Sequence, residues 1–189
     1  MNNEAFKDLL KGMNIDDDMT FAILSDKIWE LGSVEQIKEQ VSLEVFSFQV
    51  VANTIGNYKG DGWMSIVEEH TGLLPYIPDA MHEVGLPEIG ETVAEITTLL
   101  SPLLDDADIK HGCMSSEVSN FIRNVPEGKW FKITKDVLKR YSKGEQEKLA
   151  DAYLKQIEKL DNLVADRWNY GCPDNEGWGV VSRYLQRFK

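Results

Sequence analysis

Three histidines and two cysteines are the residues of this chain best suited to nucleophilic, acid–base or metal chemistry. His70, His82 and His111 stand singly on their segments. A zinc-protease helix needs a second His one turn beyond the first, and "HEVG", starting at His82, is followed by Leu86 at that position. "HGCMS", starting at His111, sets an imidazole beside the Cys113 thiol, but a thiol nucleophile also needs a base across the fold and a third group to orient that base. "DDD" ending at Asp18 and "DDAD" ending at Asp108 lack the alternate-position ligands and the glycine of a calcium loop. "GDGW", ending at Trp63, has neither the preceding strand nor the following Lys of a phosphate loop. The chain therefore reads as a binding protein and not an enzyme, with no catalytic set, no metal and no cofactor.

One acid does sit oddly. Ile37, Val41, Glu44, Phe48, Val51 and Ile55 follow one another at helical steps, which places the Glu44 carboxylate in an apolar stripe. A carboxylate there must be paired, hydrogen-bonded or protonated. Glu44 is read as a structural clamp on backbone N–H groups or on a Trp or Tyr donor, with a general base as the alternative.

Charge carries the strongest signal. Residues 1–110 hold 21 Asp and Glu against 6 Lys and Arg, while residues 111–189 hold 11 against 14. No Lys or Arg occurs between Lys59 and Lys110. Glu88, Glu91 and Glu95 fall within about 60° of one another on a helical projection, opposite Ile89, Val93, Ile96 and Leu100. Their rises, about 4.5 and 6 Å, approach the spacing of phosphates along a nucleic-acid strand. Asp79 with Glu83, Glu68 with Glu69, and the trio Asp105, Asp106 and Asp108 extend the acidic set. These ten acids are the expected partner-binding residues, and the expected partner is a basic protein surface. A field of this sign repels nucleic acid and anionic membrane, so neither is an expected direct ligand.

Elements to carry these groups are legible from periodicity. Helices are expected over 18–31, 34–55, 62–70, 75–84, 87–100, 116–124, 134–142, 144–168 and 177–187, and a strand only at "KWFKI", residues 129–133. Asp61 is placed to cap the helix that Gly62 and Trp63 open; all three are read as structural, with Trp63 packed into the core. The fold expected is all-α, a compact domain of about eight or nine helices joined by short loops. It spans 1–189 as one domain, with a possible subdomain junction in the loop 101–116. A polar, acidic start and the lack of any long apolar run suggest a cytoplasmic protein, and two isolated cysteines suggest free thiols. The expected state is a monomer or homodimer.

The region from Asn57 to about Leu100 resembles the core of the bacterial DNA-mimic protein family and a related helical domain, in which an Asn-Gly-Gly-Phe element opens a helix. Gly62 and Trp63 stand where the Gly-Phe would, Gly72 at the following turn, and Val84 with Gly85 at the end. Ser65 replaces the family's Gln, and a Glu expected before the motif is not in place. The resemblance implies an all-helical fold and an acidic surface that occupies the DNA-binding surface of another protein, often a transcription regulator. An immunity protein that neutralises a basic toxin or nuclease is the alternative, and an enzyme with an unfamiliar helical site is a third.

Overall fold

The computed structural model describes residues 1–124, 135–165, 167–168 and 177–189. The expected strand at 129–133 and Cys172 lie outside the described residues. The fold is all-α, and twelve α-helices are described against the eight or nine expected. They are α1 (Asn3–Leu10), α2 (Asp18–Trp29), α3 (Val34–Gln40), α4 (Leu43–Asp61), α5 (Trp63–Glu69), α6 (Ile77–Glu83), α7 (Pro87–Leu100), α8 (Asp106–His111), α9 (Ser116–Asn124), α10 (Asp136–Lys139), α11 (Lys143–Val164) and α12 (Gly179–Leu185). Short 3-10 turns follow α5 and α12, at Thr71–Leu73 and Gln186–Phe188. None of the described helices is long and apolar enough to cross a membrane.

α4 is the axis of the molecule. Its residues Val45, Phe46, Phe48, Val50, Val51, Ala52, Ile55 and Tyr58 are all buried and fall on more than one face, as in a helix with neighbours on several sides. α1, α2, α3, α5, α6 and α12 pack around it. The single helix expected over 34–55 is in fact two. Ser33 opens α3 with a capping box to Gln36, Val41 adopts an extended conformation, and the Ser42 hydroxyl accepts from Val45 N–H to start α4. Two serine caps override an apolar stripe that runs through both segments.

The segment 101–116 is hydrogen-bonded to earlier parts of the chain. It contains α8, whose end is stitched to the first half of the chain: Thr71 N–H donates to Gly112 O at 3.0 Å, and Met114 N–H donates to Glu68 O at 3.1 Å. α11 packs on α7, and one hydrophobic cluster extends from Phe6 to Phe188, whose rings meet edge to face at 5.1 Å. The two ends of the chain thus close the same core.

Gly62 turns α4 into α5. Its φ of +72° and ψ of −167° lie where only glycine is comfortable, and a Cβ there would meet nothing within 4 Å among the described residues. The expense of any side chain is therefore conformational and not steric. Gly62→Ala should destabilise by about 1–3 kcal/mol in urea unfolding. A loss near zero would mean that the turn relaxes easily.

Candidate functional site

The acidic surface is built on α5 to α8, and its geometry begins with glycine. At Gly90 a Cβ would lie 2.8 Å from the Pro78 carbonyl oxygen and 2.8 Å from the His82 ring, so α6 and α7 pack backbone to backbone as a hairpin. Asp79 and Glu91 each follow one of the residues at this contact, and both are exposed. On α7, Ile89, Val93, Ile96 and Leu100 are buried while Glu88, Glu91 and Glu95 face outward, as the projection anticipates.

The chain's own C-terminal half, however, reaches several of the ten acids. Glu95, expected to lack a cationic neighbour, lies 3.5 Å from Lys159 of α11. Arg123 of α9 pairs with Glu68 at 2.5 Å, and the Ser119 hydroxyl donates to the same carboxylate. Glu83 accepts from Arg187 at 2.9 Å and from the Tyr184 hydroxyl at 3.2 Å. Burial, with the Glu83 charge beside it, holds the Tyr184 phenol well above its usual value. Asp108 is buried. It accepts from Ser115 N–H at 3.0 Å, lies 2.6 Å from Lys135 Nζ, and completes a capping box with Asp105, itself 3.6 Å from Lys135.

These contacts sort the set. Asp108 and Glu83 hold the fold together, and Glu68 joins α5 to α9. The more exposed pairs, Glu95 with Lys159 and Glu68 with Arg123, contribute only about 0–1 kcal/mol each, so their main effect is to cancel local field. Glu69, Asp79, Glu88, Glu91 and Asp106 are exposed and make no ion pair among the described residues. They are what remains of the expected face.

The four structural residues fare differently. Trp63 is buried, and its Nε1–H donates to the Tyr153 hydroxyl at 2.9 Å, tying α5 to α11. Gly62 is the helix junction already described. Asp61 does not cap α5; it is the exposed last residue of α4, and Gly62 holds the cap position with no side-chain bond. Glu44 is not inside a stripe. Because α4 starts at Leu43, the carboxylate sits half-buried in its first turn, where its own backbone N–H and then the Asn3 side chain hold its carboxyl below the usual glutamate value of 4.5.

A carboxyl whose pKa is depressed on folding adds stability above its unfolded value and loses it as pH falls through the folded one. Glu44→Gln should therefore be less stable than the parent at neutral pH, with the gap closing as pH falls below 4.5. Urea unfolding at several pH values measures this, and an unchanged gap in acid would mean that shape, not charge, matters there.

Near α8 a cavity of about 200 Å³ is lined by His70, His111, Glu69 and Glu35 with Trp29 and Lys110. It gathers titratable groups that the sequence leaves apart. Burial lowers the His70 pKa, which favours a neutral ring. Neither imidazole makes a hydrogen bond among the described residues, the Ser33 hydroxyl is spent capping α3, and no metal-competent group of three ligands occurs among the described residues. Base, orienting group and nucleophile are thus not aligned there.

The chain was compared with protein-family models, curated proteins and solved structures, and none of these matches it. Fold and site together define an all-helical protein with an acidic face, and the functional reading rests on geometry.

Proposed function

We propose that this protein is an acidic helical binding module whose α6–α7 hairpin occupies the basic surface of a nucleic-acid-binding partner, such as a transcription regulator, in place of DNA. The observation that carries this reading is the set Asp79, Glu88 and Glu91: three exposed acids on adjoining helices, with no ion pair among the described residues, in a molecule that supplies cations to several of their neighbours. Glu88 and Glu91 lie one helical step apart, about 4.5 Å in rise. A partner that positions cations for phosphates can meet such a pair, and the net charge of −12 steers the encounter.

Immobilised protein should retain a basic partner from lysate at low salt and release it at high salt, and duplex DNA should compete for that partner. Retention of a partner that ignores nucleic acid would sink the mimic reading and favour neutralisation of a basic toxin.

A further inference from the structure

A groove of about 350 Å³ lies away from the acidic hairpin, between α2 and α4 and beside Trp178. Its walls are aromatic: the Phe21 and Trp178 rings meet at 5.3 Å with their planes tilted by 41°, and the Trp29 ring forms another side. Its floor is polar and fixed. Trp29 Nε1–H donates to Asn53 Oδ1 at 3.1 Å, while Asn53 Nδ2 donates to Ser25 Oγ at 3.0 Å and to the Gln49 carbonyl at 2.7 Å. One turn on, Asn57 Nδ2 donates to the Asn53 carbonyl at 2.8 Å, and Asn57 Oδ1 has no hydrogen-bond partner among the described residues. Among its described residues Asp18 and Asp26 are the charged ones, and none is a Lys or Arg.

The rim has two further features. Met19 is 61% exposed and Ile23 46% exposed, so α2 shows apolar surface to solvent beside the groove. Gly56 is an exposed glycine inside α4, where it weakens the helix by roughly 1 kcal/mol relative to alanine. Among the described residues a Cβ at Gly56 would meet only Trp178, at an ordinary 3.8 Å, so packing against them does not demand the glycine. Its consequence is an open groove.

We infer that this groove binds the guanidinium side chain of an arginine presented by a partner polypeptide. The planar cation stacks on indole rings, its fork of donors suits carboxylates and carboxamide oxygens, and its apolar stem matches Met19. A floor already held by hydrogen bonds loses little freedom on binding. This inference is independent of the hairpin reading, because its test uses the free protein and a small probe.

Blocked arginine amide should produce saturable shifts of the Trp29 and Trp178 indole N–H resonances. Blocked citrulline amide, of the same shape without charge, should bind roughly tenfold more weakly or not at all. Asp26→Asn should weaken arginine binding several-fold, and Gly56→Leu should abolish it while the protein stays folded. Gly60→Ala, at an exposed helical glycine outside the groove lining, should leave binding unchanged. Equal binding of citrulline, undiminished binding by Asp26→Asn, or no saturable shift with arginine would each overturn the assignment.

Discussion

Trp63→Ala is expected to destabilise the protein by roughly 3–5 kcal/mol, the range for truncating a large buried aromatic. Two effects combine. The indole is 4% exposed, so its removal leaves a cavity where α5 meets α11, and the Tyr153 hydroxyl loses the N–H that donates to it. Tyr153 is itself buried, so its hydroxyl is left short of a donor at a cost of about 1–3 kcal/mol. In a domain of this length the loss corresponds to roughly 6–20 °C in Tm. Trp63→Phe keeps most of the ring and should cost about 1–2 kcal/mol. If Trp63→Ala instead loses less than about 1 kcal/mol, the contact with Tyr153 is not what secures α11, and Trp63 is better placed as a surface contact.

How far these positions could be read from the chain depends on the range of the interaction. Local chemistry was legible. Pro87 at the start of α7 and Gly62 before α5 mark boundaries that the structure keeps, and Ile89, Val93, Ile96 and Leu100 face inward as their spacing requires. α8 was missed because "DDADIKH" is polar and reads as a loop; the signal for it was the capping box of Asp105 and Asp108. α1 was missed too, although Asn2 caps it and Phe6 and Leu10 recur at helical spacing.

The charge pattern misled for a different reason. A stretch without Lys or Arg says nothing about cations that arrive from elsewhere in the fold, and Arg187 reaches Glu83 across 104 positions while Arg123 reaches Glu68 across 55. The positive balance of the second half is partly the counterpart of the first half's acids. The α2–α4 groove was equally hidden, since Trp29, Asn53 and Trp178 converge only when the chain is folded. The pair Asn53 and Asn57, one turn apart on a buried helix, was the available hint.

Glu88→Gln with Glu91→Gln removes two exposed charges that make no ion pair among the described residues, so stability should hold or rise slightly as self-repulsion falls. Association with the partner should slow by roughly tenfold at low salt, within the 10- to 1,000-fold range that steering supplies, and its salt dependence should flatten. Glu68→Gln with Glu83→Gln removes the same formal charge from carboxylates already engaged by Arg123 and Arg187. That pair should lower stability by up to about 1 kcal/mol per ion pair while changing the association rate less, because carboxylates already engaged by arginines offer a partner no contact to lose. Stopped-flow association over a salt series, run alongside urea unfolding of each double variant, separates the two outcomes. Equal slowing by both pairs would mean that only net charge counts, and no slowing by Glu88→Gln with Glu91→Gln would remove the α6–α7 hairpin as the recognition face.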